Sequence, residues 1–389
     1  RDRHPLHRRQ RQMCIRDSIT ASASEVNLNG ISNYSDVDSI EFANSFNNED
    51  DSIESPLLAG GEGLVSGSSY DGGFSETTTA SFSVDFLLGA EEGKGIATAT
   101  PTDGDEAVEF NYSFQIDLNT SFTGEDSLDI SIDAGDLGAT DALSAASPNN
   151  EFDPNNTADA LTVDGIAYTF PIGDELTVFV GADSDGSALF TTACVYGTPS
   201  DTLDDCGNVN AGITGGGVAA GASYDVGNGF SAAFGIQATE SGILTDETMD
   251  DAYAFNAAYI ADNYGVSITY ANVEDGTATG NNDDTFTALN GYIAFDGYPT
   301  LSAGVEYGND DGSTNDFDDE TMAYFIGSTY PVGAGELGIG WGTHNLNSGM
   351  NENTDDEIMI EAYYSYPVND AMTVTPLVYS KEQKGTGLE

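Results

Sequence analysis

Apolar and polar residues alternate without a break over Val108–Leu118, and this run constrains the fold more than any other feature of the chain. A period of two places successive side chains on opposite faces of a β-strand. The same alternation occurs in Ala80–Leu88 and Leu128–Ala134, where serine and aspartate occupy the polar positions. These segments therefore predict strands that have one apolar face and one wet face.

Twelve further segments of about ten residues extend the pattern along the chain. They are 161–170, 175–183, 216–226, 229–238, 251–260, 264–273, 285–295, 300–308, 321–330, 336–344, 356–366 and 371–380. Pro376 interrupts the last of them, and proline cannot donate to a strand ladder. The sequence thus predicts fifteen strands in all.

The connections between these strands alternate between long and short. Long ones cover 90–105, 136–160, 184–215, 239–250, 274–284, 309–320 and 345–355, and the others have about two to seven residues. Three short turns share a signature, in which an aromatic residue ends a strand and proline follows. They are Phe170-Pro-Ile-Gly-Asp-Glu-Leu176, Tyr330-Pro-Val-Gly-Ala-Gly-Glu-Leu337 and Tyr366-Pro-Val-Asn-Asp-Ala-Met372.

Strands of this length, aromatic strand ends and alternating loop lengths are typical of an outer-membrane barrel. Lipid cannot satisfy backbone N–H and C=O groups, so a sheet that spans it must close on itself. We therefore predict an all-β fold, a transmembrane antiparallel up-and-down β-barrel. Because single-chain bacterial barrels have an even number of strands, the fifteen visible strands predict a barrel of 16 whose closing strand is missing. A soluble β-sandwich would also show alternation, but it gives no reason for alternating loop lengths.

The chain is strongly acidic, with 66 Asp and Glu against 9 Lys and Arg and a formal charge of −57. This charge excludes nucleic-acid binding, because phosphates would be repelled. Six of the nine basic residues are arginines within residues 1–17, a head that looks like translated adapter sequence. Without that head, 64 acidic and 3 basic residues remain, a formal charge of −61. We expect an artefact over 1–17, a signal-peptide remnant with a flexible acidic periplasmic segment over 18–75, and the barrel over 76–389.

Carboxylates on the wet face of the strands are the candidate functional residues. They are Asp85, Glu109, Asp117, Asp129, Asp133, Glu306 and Glu361. Carboxylates that line a pore attract cations and repel anions. We therefore expect passive diffusion with a preference for cations, although the same residues also suit a lumen that is merely kept wet. A different class of protein, a secreted acidic surface protein or adhesin whose loops bind divalent cations, is the alternative.

Cys194 and Cys206 lie in the longest connection, 184–215, which we take as the candidate constriction of the pore. Two cysteines in a loop rich in Gly, Asp and Asn suit a disulfide in an oxidising compartment, although two free thiols are the alternative. His344 is the one histidine outside the suspect head, so neither a Ser-His-Asp triad nor a common zinc site can be assembled. We expect no enzyme activity and no cofactor.

Several motifs resemble a known family. They are the run Phe110-Asn-Tyr…Leu118-Asn-Thr-Ser-Phe-Thr-Gly124, then Asp126-Ser-Leu-Asp-Ile130 with Ala134-Gly135, and farther along Gly242-Ile-Leu-Thr-Asp246 and Asn263-Tyr-Gly-Val-Ser267. These residues are similar to cyanobacterial outer-membrane porins of the Som type, often labelled iron-uptake porins and related to the carbohydrate-selective OprB group. The marine picocyanobacterial branch fits best, and the chain resembles a fragment of such a protein. The resemblance covers about residues 77–380.

The resemblance implies a homotrimeric channel in the outer membrane that passes small hydrophilic solutes and inorganic ions. Carbohydrate uptake is the alternative function within the same group. Members of the family commonly carry an N-terminal SLH domain and a coiled coil, and residues 24–75 are too short for both. The partners that the resemblance implies are small hydrophilic solutes, inorganic ions and outer-membrane lipid.

Overall fold

The computed structural model describes residues 78–90, 108–136, 157–200, 203–214, 217–239, 251–277, 280–309, 320–343 and 358–381. Within these ranges every regular element is a β-strand, and no helix there is long and apolar enough to cross a membrane. The predicted boundaries at residues 17 and 75 lie outside the described residues. The first described strand begins at Thr78, close to the predicted start of the barrel.

Sixteen strands form one antiparallel sheet. They are β1 (Thr78–Gly89), β2 (Glu109–Thr120), β3 (Ser127–Gly135), β4 (Thr162–Ile172), β5 (Leu176–Ala182), β6 (Val218–Gly227), β7 (Phe230–Ala238), β8 (Asp251–Ile260), β9 (Tyr264–Thr277), β10 (Gly280–Ile293), β11 (Thr300–Asn309), β12 (Glu320–Val332), β13 (Gly335–Thr343), β14 (Ile358–Asn369), β15 (Met372–Val374) and β16 (Leu377–Lys381). Each strand from β1 to β14 pairs with the next, which is the up-and-down order that the sequence predicts.

The last two strands are one predicted strand broken in two. Both β15 and β16 pair with β14, and Thr375 and Pro376 separate them. Proline has no backbone N–H to offer the ladder. Its carbonyl oxygen still accepts a hydrogen bond from the Tyr364 N–H at 3.0 Å, so the broken strand stays against β14. The sixteen observed strands therefore correspond to the fifteen predicted strands, because β15 and β16 together form the last of these.

The two faces of the sheet have opposite character. On β11, Ser302, Gly304 and Glu306 are buried, whereas Leu301 and Tyr307 on the other face are exposed. On β1 both faces are exposed, the apolar one with Phe82 and the polar one with Asp85. The exposed apolar residues continue from strand to strand, and a soluble protein rarely presents so large an apolar surface to water. Lipid is the solvent that suits this outer face, and the polar inner face surrounds the interior of a barrel.

Candidate pore constriction

We call the connection between β5 and β6, residues 183–217, the β5–β6 loop, and its described residues fold into the interior of the barrel. Its two ends meet where the Ser184 N–H donates to the Gly217 carbonyl oxygen at 3.1 Å. The structure describes an outgoing limb, residues 183–200, and a return limb, residues 203–214. Both limbs lie against the inner wall of the barrel.

The outgoing limb crosses successive strands through hydrogen bonds from its backbone N–H groups to polar side chains of the wall. The contacts are Gly186 to Gln237 Oε1 on β7 (2.9 Å), Thr191 to Asn256 Oδ1 on β8 (3.0 Å), Ala193 to Ser267 Oγ on β9 (2.8 Å) and Val195 to Ser302 Oγ on β11 (3.2 Å). These side chains supply the acceptors that a buried, irregular backbone needs. The wall thus guides the limb from β7 towards β14.

Glu361 on β14 receives the far end of the outgoing limb. The Tyr196 hydroxyl donates to Oε1 at 2.7 Å, and the Ser200 hydroxyl donates to Oε2 at 2.5 Å. The Tyr196 ring packs between the rings of Phe325 and Tyr363, with centroid distances of 4.9 and 5.7 Å. Burial and then the neighbouring Glu361 carboxylate raise the pKa of Tyr196, so its hydroxyl remains a donor.

Glu306 on β11 receives the return limb. Its Oε2 accepts hydrogen bonds from three consecutive backbone N–H groups, those of Val209, Asn210 and Ala211, at 2.8–2.9 Å. Its Oε1 accepts from Nδ2 of Asn210 at 2.9 Å. On the neighbouring strand β10, Nδ2 of Asn290 donates to the Cys206 carbonyl oxygen at 2.8 Å. The return limb is therefore held to the wall by a carboxylate and an amide.

The two limbs are also joined to each other and packed against the wall. A disulfide links Cys194 of the outgoing limb to Cys206 of the return limb, with their Cα atoms 6.4 Å apart. The apolar cluster beneath the far end contains Tyr196, Leu203, Cys206, Phe325, Met359 and Tyr363. A second cluster beneath the base contains Ala211, Ile213, Ala254, Ala271, Phe286 and Ala288. The loop is thus a fixed insert in the barrel.

This arrangement corrects the prediction for two of the candidate acids. Glu306 and Glu361 point into the barrel as their strand phase predicts, but they do not line open water, because they are only 2% and 1% exposed. The reason is that the β5–β6 loop covers them and donates hydrogen bonds to them. Sequence alternation distinguishes inside from outside, but it cannot distinguish the lumen from the surface beneath a loop.

Four other candidate acids lie on the inner face of β1, β2 and β3, which we call the acidic wall. Asp85 is exposed, and Asp117 and Asp129 are half-buried. Asp117 accepts hydrogen bonds from Gln115 Nε2 and Ser131 Oγ, both at 2.8 Å. Asp129 accepts from Asn119 and Ser127, both at 2.7 Å.

Asp133 is the buried member of the acidic wall. It is 0% exposed, so, like Glu306 and Glu361, it does not line open water, and it accepts a hydrogen bond from the Thr162 hydroxyl at 2.6 Å. Glu109 begins β2 opposite Gly89, but its side chain lies outside the described residues, as does His344. In the described part of the chain, no group of three or more His, Cys, Asp or Glu side chains has a geometry that would hold a metal ion.

Beyond Asp183 and Asp185 at its start, the exposed part of the outgoing limb is uncharged. Its exposed residues include Thr192, Val195, Gly197 and Pro199. Lys381 on β16 is the one basic residue among those that the structure describes. The β5–β6 loop adds carboxylates to those of β1–β3, because Asp183 is exposed and Asp185, Asp204 and Asp205 are half-buried. Sequence reasoning missed the wall residues that hold this loop, because an inward Asn or Ser looks the same whether it faces water or a loop.

Solved porin structures share this fold. OprB of Pseudomonas putida at high pH is 14% identical with a TM-score of 0.53, over 78% of this chain and 89% of that chain. The trimer form of in-vitro folded OmpT, an outer membrane protein of Vibrio cholerae, is 11% identical with a TM-score of 0.51, over 79% and 89%. A mutant of the Rh. blastica porin is 12% identical with a TM-score of 0.50, over 78% and 94%. At these identities the similarity shows the fold.

No curated protein sequence matches the chain. Residues 70–379 match the family described as "Carbohydrate-selective porin, OprB family". That match covers most of the chain and includes every described strand except the last two residues of β16. The alternation of faces, the exposed apolar band and the loop folded into the interior all agree with it. The chain therefore belongs to the OprB family of carbohydrate-selective porins and is a protein of the outer membrane.

Proposed function

We propose that this porin forms a water-filled channel for small hydrophilic solutes and inorganic ions, and that it prefers cations. The observation that carries the proposal is the acidic wall on β1–β3, to which the β5–β6 loop adds further aspartates, while Lys381 is the one basic residue among those described. Each carboxylate attracts a cation by about 1 kcal/mol at 4 Å even in bulk water. Several of them along one path raise the local concentration of cations and lower that of anions.

The test is the reversal potential in a planar bilayer with a KCl gradient. We expect wild-type channels to pass cations preferentially. The double variant Asp117→Asn/Asp129→Asn should reduce the cation-to-anion permeability ratio severalfold, because it removes two lumen charges and keeps the side-chain size. The matched control is Glu125→Gln/Asp174→Asn, which removes two carboxylates from exposed turns. Anion preference in the wild type, or equal shifts in both variants, would contradict the proposal.

Carbohydrate uptake is the second candidate function, and the family description favours it. The acidic wall also carries Gln115 and Asn119, and amides and carboxylates hydrogen-bond sugar hydroxyls. The aromatic residues Phe325 and Tyr363 are buried beneath the loop against its Tyr196, where a sugar in the lumen does not reach them. Saturable block of the ion current by a neutral oligosaccharide would support this function, and its absence at millimolar sugar would leave general diffusion.

The homotrimer and the Som-type branch belong to the same proposal. The trimer form of OmpT supports a trimer here, since the two chains share a fold. Gel electrophoresis without heating should show a species of three times the mass that heat converts to the monomer. The motifs at Phe110–Gly124 and Asn263–Ser267 support the marine picocyanobacterial branch, for which inorganic ions, iron among them, are the solutes to test. Recovery of the full coding sequence with its genomic neighbours would decide the branch.

A further inference from the structure

Glu306 and Glu361 lie inside the barrel, yet their carboxylates contact the β5–β6 loop rather than water. We propose that they are positioning residues, two seats that hold the two limbs of the loop against the wall and so fix the open cross-section of the channel. This inference rests on the function as a porin, and it is separate from the preference for cations. It gives Glu306 and Glu361 a different task from that of Asp85, Asp117 and Asp129.

The contacts of Glu306 require a carboxylate. Its Oε2 accepts from three successive N–H groups, an arrangement that a single oxygen achieves only where the backbone curls around it. Buried N–H groups need an acceptor, and the return limb has this one. A glutamine at 306 would keep one acceptor oxygen and present an NH₂ group to the remaining donor, so at least one buried donor would lose its partner.

Glu361 holds the other limb from the opposite direction. Both of its oxygens accept from hydroxyl groups of the loop, those of Tyr196 and Ser200. Tyr196 is 5% exposed and wedged between two rings of the wall, so its hydroxyl has little freedom to find another acceptor. The two seats lie on β11 and β14, and the Cys194–Cys206 disulfide lies between the limbs that they hold. Loss of either seat releases one limb towards the lumen.

The experiment compares Glu306→Gln and Glu361→Gln with the matched control Glu320→Gln in single-channel recordings. Glu320 is exposed at the first residue of β12, so its variant removes the same charge away from the loop. A buried donor without a partner shifts a two-state equilibrium by roughly tenfold or more. We therefore expect about a tenfold longer time in altered conductance levels for each seat variant, with the wild-type reversal potential. The size limit for neutral polymers should shift as well.

A second variant keeps the test decisive if a glutamine variant does not fold into a heat-modifiable barrel. Tyr196→Phe/Ser200→Ala removes the donors to Glu361 from the loop and leaves the wall intact, so it should give the same altered levels as Glu361→Gln. Wild-type conductance with a shifted reversal potential would overturn the proposal, because the glutamates would then act as selectivity charges. Unchanged recordings in all three variants would overturn it too. Absence of pores in the wild type would instead contradict the porin function itself.

Discussion

At the scale of single residues, the wall beneath the β5–β6 loop contains glycines that let the loop backbone come close to the strands. A Cβ atom at Gly304 would collide with the carbonyl oxygen of Cys206, and one at Gly235 would collide with that of Gly186. In both places the loop backbone contacts the strand backbone directly. The close approach lets wall side chains such as Asn290 and Gln237 reach the loop with normal hydrogen-bond lengths.

Gly304→Ala should therefore disturb the loop more than an equivalent change elsewhere. We expect a loss of about 1–3 kcal/mol in the free energy of unfolding, the usual cost of overpacking a close contact. The measurement is urea unfolding in detergent micelles. Gly197→Ala is the matched control, since an added Cβ there meets nothing within 4 Å and should change little. Equal losses in the two variants would show that the contact at Gly304 does not matter.

Asp126 organises the turn between β2 and β3. Its Oδ1 accepts from the backbone N–H groups of Phe122 and Thr123 and from the hydroxyls of Ser121 and Thr123, and its Oδ2 accepts from Tyr168. These bonds, that of the Thr123 hydroxyl first, hold the pKa of Asp126 below its usual value, although burial acts in the opposite direction. The ionised form is therefore the one that the folded turn favours.

The stability of this turn should depend on pH in one direction. A carboxyl group whose pKa is lowered by folding contributes stability above its unfolded pKa of about 3.9, and the contribution is lost as the pH falls through the folded value. Asp126→Asn should thus be less stable than the wild type at pH 7, and the difference should shrink steadily below about pH 4. Heat-modifiability on gels after incubation at each pH measures it. A difference that stays constant down to pH 2 would contradict this account.

The candidate acids show what residue-level reasoning from sequence can predict. Asp117 and Glu306 each occupy a polar position in an alternating strand, and the alternation predicts that both point inward. Strand phase is local information, so the sequence carries it. Whether a loop from elsewhere in the chain covers the residue is not local, so the seat at Glu306 could not be predicted from its own strand.

At the scale of elements, the strands were predictable because each is specified by its own alternation. The fifteen predicted segments all correspond to observed strands, and the ends differ by a few residues. The break at Pro376 follows from proline chemistry and was expected to weaken that segment. The inward course of the β5–β6 loop was expected only from its length and its cysteines. Its path along the wall depends on contacts with many strands from β7 to β14, which no single segment encodes.

The disulfide of this loop offers a test at the same scale. In the chain-entropy description, closing a loop of this length restricts the unfolded chain by about 3 kcal/mol. Cys194→Ser/Cys206→Ser should therefore lower the free energy of unfolding by about that amount under oxidising conditions. Dithiothreitol should lower the stability of the wild type and leave that of the double variant unchanged. Equal responses to the reductant would mean that the bond contributes no stability.

At the scale of the whole molecule, the salt concentration should determine how strongly the channel prefers cations. An acidic wall acts on ions through water, and mobile ions screen it over about 30 Å at 0.01 M salt and about 3 Å at 1 M. The cation preference should therefore fall steeply as KCl rises from 0.01 to 1 M at a constant gradient ratio. Asp117→Asn/Asp129→Asn should show a flatter dependence. A preference that does not respond to salt would point to a narrow binding site instead of a charged wall.

The burial of two carboxylates beneath the β5–β6 loop has a consequence for anyone who would widen this channel. The loop does not merely occupy space; it hides Glu306 and Glu361 from water. Excising the loop would enlarge the opening and expose these two carboxylates, while it would also remove the aspartates that the loop carries. A wide pore dilutes the influence of its lining, so cation preference normally falls as width grows. In this barrel the two uncovered carboxylates would replace part of the lost charge, so the larger pore would retain part of its preference.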